Sequence, residues 1–418
     1  MNLDKKYRLN TYIGLVLKYY FCKVLAEAKL ITSRIKENLT DYSETIVPTR
    51  LLLGPGPSNA HPDVLKALSM NPIGHLDEAY LNLMSDVQNL LRYCWQCSNR
   101  ITLPMSGTGS AAMECSIANF IEEGETILIA KKGYFGDRLV DMASRYRANV
   151  IVIEKDWGDA FTLEEIQYAI EKNQPSVFAI VHAETSTGVL QPLNGIGDVC
   201  RKNDCLFLVD AVTSLGALEL FVDDWKIDIA YSCSQKGLSC PPGLSPLTIN
   251  DRAEEKLRNR KSKVPNWYLD LSLLNKYWGS DRVYHHTAPV NMNYAIREGL
   301  RLIASESLEN IWERHLSNSI RLCSGLKELG LELHVSEKYR LPTLTTVKIP
   351  KSIDGNAFRN HLLNNFGIEI GNGLGDLSGQ IWRIGLMGYN SKKENVDRLL
   401  NIFDSELKKF TLFQTATF

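Results

Sequence analysis

Short apolar segments alternate with segments of helical periodicity between residues 110 and 232. The apolar segments are rich in Val, Ile and Leu and read ETILIA, NVIVIE, VFAIVH, LFLVDA and IDIAYS. The helical segments include SAAMECSIANFI and TLEEIQYAIEKN. Strands that alternate with helices form parallel βαβ units, in which helices cover both faces of the sheet. The sequence therefore predicts an α/β fold with a buried, mainly parallel sheet.

The length of the chain, 418 residues, exceeds what one compact core usually holds, so we expect two domains and an extension. After about residue 305 a long amphipathic segment, LENIWERHLSNSIRLCSGLKELG, is followed by two strand-like segments, LPTLTTVKIP and QIWRIGLMG. We therefore assign an N-terminal extension to residues 1–45, a large domain to residues 46–305 and a smaller α+β domain to residues 306–418.

The N-terminal extension contains TYIGLVLKYYFCKVLAEAKLITSRIKENL, where Lys18, Lys23, Glu27 and Lys29 interrupt the apolar residues. It lacks the run of about 18 uncharged apolar residues that a membrane span requires, so we predict no membrane span. Basic residues outnumber acidic ones, as in a mitochondrial or plastid transit peptide. The same pattern fits an amphipathic helical arm of a cytoplasmic protein, and the sequence leaves both interpretations open.

The formal net charge is −1, which gives no electrostatic reason to expect nucleic acid or an acidic membrane as a partner. The nine cysteines do not have the spacing of a disulfide framework, which indicates a reducing compartment. CWQC places Cys94 and Cys97 at CxxC spacing on a predicted helix, but no second cysteine pair follows. We therefore expect buried packing there, no metal, and a soluble intracellular enzyme.

Polar residues follow the predicted strands at the edge where parallel sheets bind ligands. LFLVDA brings Asp210 to this edge, and IDIAYSCSQK continues to Gln235 and Lys236. VFAIVHAETSTG places His182, Glu184, Thr185 and Ser186 at the end of another strand. LPMSGTGSAAMECSI puts a glycine-rich turn directly before a helix, and backbone N–H groups in such a turn form a phosphate cradle.

An aldehyde cofactor with a phosphate and a pyridine ring requires these groups together. It needs a lysine for a Schiff base and an acid for the pyridinium nitrogen. In YSCSQKGLSCPPG, small and uncharged residues surround Lys236, which favours a lowered pKa. We therefore predict Lys236 and Asp210 as catalytic residues of a pyridoxal 5′-phosphate enzyme. Taken singly, Asp210 could cap the next helix, and Lys236 could be an ion-paired structural residue.

A set of motifs occurs in order along the chain: LLLGPGPSN, SGTGSAAME, HAETSTGVLQPL, LFLVDAVTSLG, YSCSQKGLSCPPG, YHHTAP and IWRIGLMG. Together they resemble the class V, fold-type I aminotransferases, specifically the alanine–glyoxylate and serine–pyruvate branch. The resemblance implies a mainly parallel seven-stranded sheet and a smaller C-terminal α+β domain. It also implies ping-pong transamination through a lysine Schiff base, from alanine or serine to glyoxylate or pyruvate. The active site would be shared across a homodimer interface.

The resemblance also implies roles for individual residues. Lys236 would carry the cofactor, Asp210 would pair with its ring nitrogen, and Arg383 would hold the substrate carboxylate. The remaining implied contacts are to the phosphate from Thr108, Gly109, Ser110 and Gln235, to the ring from Phe135, Thr185 and Val212, and to the partner's phosphate from Tyr284 and Thr287. Phe135 stands where the family often has tryptophan, which bears on substrate preference. His75, near the expected entrance, is expected to be structural.

Alternative functions use the same segments differently. Residues 107–112, GTGSAA, fit the GxGxxA pattern of dinucleotide dehydrogenases, but Lys131 and Lys132 follow the next strand where that fold requires an acid. A cysteine desulfurase or kynureninase shares the expected fold and is the closer alternative. A desulfurase needs a reactive cysteine, whereas Cys233 and Cys240 beside Lys236 suggest small packing residues. A non-catalytic scaffold is disfavoured because every expected cofactor residue is present.

Overall fold

The computed structural model describes the backbone of residues 14–29 and 44–415 and the side chains in these ranges up to residue 410. The chain divides into two units, Met1–Thr49 and Arg50–Phe418. In the first unit, residues 14–29 form helix α1, and all of its side chains are exposed. Among the helices within the described ranges, none is both long and apolar enough to cross a membrane.

The second unit contains the α/β fold. Its strands are β1 (Leu51–Leu52), β2 (Ile101–Ser106), β3 (Thr126–Lys131), β4 (Asn149–Glu154), β5 (Val177–Val181), β6 (Ala183–Glu184), β7 (Val189–Leu190), β8 (Leu206–Asp210), β9 (Ile229–Tyr231), β10 (Leu244–Ile249), β11 (Leu344–Lys348), β12 (Ile368–Glu369), β13 (Gly371–Asn372) and β14 (Ile381–Gly385). Its helices are α2 (Pro62–Leu68), α3 (Glu78–Trp95), α4 (Gly109–Phe120), α5 (Tyr134–Arg145), α6 (Leu163–Asn173), α7 (Ile196–Lys202), α8 (Asp251–Arg258), α9 (Leu271–Trp278), α10 (Val290–Glu306), α11 (Leu308–Glu328), α12 (Gly355–Phe366) and α13 (Lys393–Thr415). Three 3₁₀ turns add Glu337–Tyr339, Gly375–Leu377 and Gly388–Asn390.

The large sheet has seven strands in the order β2-β10-β9-β8-β5-β3-β4. Strand β10 is antiparallel to both of its neighbours, and the other neighbouring pairs are parallel. Both faces are buried: in β3, Ile127 and Ile129 pack into one apolar cluster, while Leu128 and Ala130 pack into another. Because side chains alternate along a strand, a sheet covered on both faces requires a continuous apolar run. This arrangement confirms the predicted α/β fold.

Helix ends follow local capping chemistry. Helix α6 starts with a capping box, in which Thr162 and Glu165 bond each other's backbone N–H groups. Helix α3 ends at Trp95, because Gln96 adopts a left-handed conformation with φ of 51°. Of the two cysteines in the CWQC motif, only Cys94 therefore lies on the helix, and Cys97 follows it, which corrects the prediction that both cysteines do. Cys94 is 2% exposed and the Cys97 Sγ lies 3.6 Å from a threonine hydroxyl, so both pack structurally.

The C-terminal part contains a three-stranded antiparallel sheet, β11-β14-β13, and helices α11 to α13. Strand β1 pairs in parallel with β12, so the chain just after Thr49 joins this region. Leu53 accordingly lies in the same apolar cluster as Trp382 and Phe403. The domain boundary between residues 305 and 306 stays a prediction.

Candidate active site

Lys236 lies in the turn that follows β9, and it is only 9% exposed. Its Nζ donates a hydrogen bond to the carbonyl oxygen of Pro55. Gly56, with φ of +114°, packs directly against the lysine side chain, and a Cβ at this position would overlap that side chain. Burial lowers the pKa of Lys236 because it penalises the ammonium form. The lysine is therefore a buried amine that gives up its proton more readily than a surface lysine.

Asp210 is the last residue of β8 and is 2% exposed. Its Oδ1 accepts a hydrogen bond from Val212 N at 2.9 Å, and its Oδ2 accepts one from Tyr231 Oη at 2.8 Å. Burial raises the pKa of Asp210 to about 6, although both hydrogen bonds act in the opposite direction. A cationic ligand at this carboxyl group would offset the cost of burying its charge. The sequence predicted Asp210 but missed Tyr231, which pairs with it in register across β8 and β9.

The glycine-rich turn leads into helix α4, which begins at Gly109. Thr108 is the exposed N-cap residue, and its side chain makes no capping hydrogen bond within the described part of the chain. Gly109 lies close to Val212, whose Cγ2 would be 3.4 Å from an added Cβ. Arg138 donates a hydrogen bond from Nη1 to Ser110 Oγ at 3.1 Å, which adds a positive charge beside the turn. The uncapped first turn and the arginine suit an anion.

Two further residues, Gln235 and Phe135, were predicted to contact the cofactor. The Gln235 side-chain oxygen is buried and has no hydrogen-bond partner among the described residues. The backbone of Gln235 is held by Ser58, whose N–H donates to the Gln235 carbonyl oxygen at 2.9 Å. Phe135 is partly buried at the start of α5, with the Arg138 guanidinium 4.9 Å from its ring centre. Its aromatic face therefore already stacks with a cation.

Arg383 lies on β14, where its neighbours Trp382 and Ile384 are buried in the apolar cluster of the C-terminal part. The Arg383 side chain is directed to the polar side, as the two-residue period of a strand requires. It is 6% exposed, and its Nη1 donates a hydrogen bond to the carbonyl oxygen of Thr185 at 3.2 Å. Its Nε donates to Asn372 O at 2.5 Å, and burial lowers the pKa of Arg383 to about 10. The guanidinium is thus fixed beside the turn between β6 and β7.

Two buried charged residues of this region were not predicted as site residues. Lys132 is 1% exposed, and its Nζ donates a hydrogen bond to Val181 O at 2.5 Å. Burial lowers the pKa of Lys132 to about 8. Glu184 is fully buried, and its Oε1 accepts hydrogen bonds from Ser186 N at 3.0 Å and Ser186 Oγ at 2.6 Å. In the sequence analysis, Lys132 was noted only because it stands where a dinucleotide dehydrogenase would have an acidic residue.

Tyr284 and Thr287 lie between α9 and α10. Tyr284 is 55% exposed, and its Oη is 3.5 Å from Thr287 Oγ1. Its ring lies 5.3 Å from the ring of His75, whose carbonyl oxygen also accepts a hydrogen bond from Tyr277. The expected contact of Tyr284 and Thr287 with a partner subunit stays a prediction.

The site as a whole fits pyridoxal 5′-phosphate. The uncapped start of α4 suits an anionic phosphate, the buried Asp210 suits a cationic ring nitrogen, and the buried amine of Lys236 suits an aldehyde. Within the described ranges, no cluster of three or more His, Cys, Asp or Glu is suited to a metal ion. The fold and the site define a pyridoxal-phosphate-dependent enzyme of fold-type I.

Comparisons with known proteins identify the family. The family model described as Aminotransferase class-V matches residues 58–399. Alanine–glyoxylate aminotransferase of Mus musculus is 43% identical over 84% of this chain and 86% of its own length. (S)-Ureidoglycine–glyoxylate transaminase of Bacillus subtilis (strain 168) is 41% identical over 84% of this chain and 89% of its own length. The crystal structure of alanine–glyoxylate aminotransferase from Nostoc sp. has a TM-score of 0.87 at 57% identity, covering 88% of this chain and 98% of that chain.

The chain therefore belongs to the class V aminotransferases. The expected family, fold class, cofactor and enzyme class are confirmed. The alternative reactions are not favoured. In particular, burial raises the pKa of Cys233 to about 12 and also raises the pKa of Cys240, so neither thiol beside Lys236 readily forms the thiolate that a desulfurase uses.

Proposed function

We propose that the protein transfers an amino group from a small amino acid, alanine or serine, to a small 2-oxo acid, with glyoxylate as the principal acceptor and pyruvate as the alternative. The names of its relatives from Mus musculus, Bacillus subtilis and Nostoc sp. support glyoxylate, because all three include it. The relative from Bacillus subtilis, named for ureidoglycine, adds (S)-ureidoglycine as a second candidate donor.

The observation that carries this proposal is the buried guanidinium of Arg383. Its Nη1 bond to Thr185 O and its Nε bond to Asn372 O hold the planar group in one orientation. An amino acid and a 2-oxo acid share an α-carboxylate, so one receptor can serve both half-reactions. Arginine suits this task because its fork can bind both oxygens of a carboxylate.

Bound pyridoxal 5′-phosphate supplies an electron sink for the negative charge that develops at the substrate Cα when its proton leaves. Lys236 Nζ, with its lowered pKa, is the group proposed to take this proton and return it. Asp210 would bind the ring nitrogen, and Thr185, Val212 and Phe135 would contact the ring. The phosphate would be bound by Thr108, Gly109, Ser110 and Gln235.

We propose further that the enzyme is a homodimer with shared active sites. Tyr284 is 55% exposed, and nearby Trp267 and Tyr268 are 61% and 41% exposed. Such large exposed aromatic side chains are enriched in protein interfaces. In the dimer, Tyr284 and Thr287 would reach the phosphate site of the partner subunit.

Residues 1–45 are proposed to form an amphipathic helical arm, with a mitochondrial or plastid targeting segment as the alternative. Helix α1 presents Lys18, Lys23 and Lys29 among apolar residues, a composition that supports either role. Fusing residues 1–45 to a fluorescent protein tests the targeting role, which organellar fluorescence would support. Diffuse cytoplasmic fluorescence would favour the arm.

A matrix of amino donors and acceptors on the purified holoenzyme tests the reaction. Alanine, serine and (S)-ureidoglycine are paired with glyoxylate and pyruvate, and both products are measured. We expect the highest kcat/KM with glyoxylate as acceptor. Transamination that proceeds only with longer 2-oxo acids, or release of sulfide from cysteine without amino transfer, would refute the proposal.

A further inference from the structure

Lys132 lies beside the ends of three neighbouring strands of the large sheet. It directly follows β3, and its Nζ bonds the carbonyl oxygen of Val181, the last residue of β5. Val181 pairs in register with Asp210, the last residue of β8. The ammonium of Lys132 is therefore linked to Asp210, the predicted cofactor acid, through its hydrogen bond to Val181 and the pairing of Val181 with Asp210.

The surroundings of Lys132 make a buried ammonium costly. An ammonium has three donors, and Val181 O accepts from only one of them. Glu184 is buried nearby, and its Oε2 has no hydrogen-bond partner in the part of the chain that the structure describes. A buried charge without close pairing lowers stability, so a stabilising role does not explain a lysine at this position.

We propose that Lys132 is a positioning residue whose buried ammonium keeps Asp210 in its carboxylate form. The inference rests on the proposed role of Asp210 and adds the group that maintains its charge. Two neighbouring charges act on Asp210 in opposite directions, beside the larger effects of its burial and its two hydrogen bonds: Glu184 raises its pKa and Lys132 lowers it. The other titratable or charged groups around Asp210 and its neighbours are Tyr231, Lys236, Cys233, His182, Arg138 and Arg383. Burial keeps His182 neutral by lowering its pKa to about 3.

Lys132→Met removes the charge while keeping a similar length. A unit charge within about 10 Å shifts the pKa of a buried carboxyl group by about one unit at an effective dielectric constant of about 20. The acid limb of the kcat/KM profile should therefore move up by about one pH unit, and activity should recover as the pH rises. Lys132→Arg should keep the wild-type limb. Lys131→Met is the matched control, because Lys131 is the adjacent residue and pairs with the partly exposed Asp137 and Glu154 instead.

A second readout uses the apoprotein and does not depend on turnover. The dissociation constant of added pyridoxal 5′-phosphate is measured against pH. Below the acid limb, Lys132→Met should bind the cofactor about tenfold more weakly than wild type, in proportion to a one-unit pKa shift. Above the limb, the two affinities should converge. Glu184→Gln keeps the Oε1 acceptor for Ser186 and should move the limb in the opposite direction.

The double variant Lys132→Met/Glu184→Gln removes both charges and should return the limb towards the wild-type position. This variant also covers the case in which Lys132→Met alone does not fold, since removing a buried charge and its neighbour together is better tolerated. A uniform loss of activity with unchanged limbs, or no rescue in the double variant, would overturn the role of Lys132. Wild-type activity of Asp210→Asn would instead refute the role of Asp210.

Discussion

Asp210→Asn should stabilise the apoprotein while it inactivates the enzyme. Burial raises the pKa of Asp210 from 3.8 to about 6, which corresponds to about 3 kcal/mol of unfavourable free energy at neutral pH. Asparagine has the same shape, and its Oδ1 can still accept the hydrogen bond from Val212 N. Tyr231 Oη can accept a hydrogen bond from the new amide. Allowing for relaxation around the site, we expect a gain of about 1–3 kcal/mol at neutral pH.

The pH dependence of this gain has a definite sign. Between pH 3.8 and about 6, the folded wild-type protein holds a proton on Asp210 that the unfolded chain has lost. The free energy of unfolding therefore falls as the pH rises through this window, and it stays low above it. The free energy of unfolding of Asp210→Asn does not fall in this way. The stability difference between Asp210→Asn and wild type should therefore grow as the pH rises from 3.8 to about 6, and it should disappear below this range.

Urea unfolding of the apoproteins, followed by tryptophan fluorescence at several pH values, measures the difference. Asp141→Asn is the control, since Asp141 forms a solvent-exposed ion pair with Arg145, and such pairs contribute little to stability. Steady-state assays of the holoenzymes should show at least about a 10²-fold loss of kcat for Asp210→Asn, typical of removing one preorganised electrostatic group. The proposed role of Asp210 is refuted if the Asp210→Asn apoprotein is not stabilised at neutral pH, or if the Asp210→Asn holoenzyme keeps wild-type kcat.

Arg383→Lys keeps the positive charge but loses the planar guanidinium, so the KM values for donor and acceptor should rise together in steady-state assays while the affinity for the cofactor stays the same. Unchanged KM values would show that Arg383 has a structural role instead. When Lys236→Ala subunits are mixed with Tyr284→Phe/Thr287→Ala subunits, activity should return, because one of the two sites in each mixed dimer then has an intact Lys236, Tyr284 and Thr287. A mixture that stays inactive would contradict sites shared between subunits. Gly56→Ala should reduce kcat by at least about tenfold, because Gly56 has a φ of +114° and a new Cβ there would overlap the Lys236 side chain. A wild-type kcat would show that the backbone around residue 56 can move to make room for the Cβ.

The sequence predicted β3, β4, β5, β8 and β9 because each is a run of β-branched and other apolar residues. Strands β2 and β10 were not among the predicted strands. Each contains a proline, Pro104 and Pro246, and these residues oppose each other where β10 runs antiparallel to β2. Proline normally argues against a strand, since it cannot donate to the hydrogen-bond ladder.

A site residue could be predicted from the sequence when its own segment showed that it lies at the end of a strand. Asp210 and Lys236 end or follow predicted strands, so strand polarity alone brings them to the same edge of the sheet. Lys132 depends on the neighbouring positions of β3, β5 and β8, because it reaches the site through Val181 of another strand. Tyr231 likewise reaches Asp210 only because β8 and β9 pair in a register that places the two residues opposite each other. Strand order and register are long-range properties that a single sequence does not reveal.

Borohydride reduction of the holoenzyme, followed by peptide mass spectrometry, tests whether Lys236 is the lysine that binds the cofactor. Reduction fixes pyridoxal 5′-phosphate to the amine that holds it. We expect the added mass on the peptide that contains Lys236, and we expect no such mass in Lys236→Ala. Stoichiometric labelling of another lysine, including the buried Lys132, would contradict the assignment of Lys236.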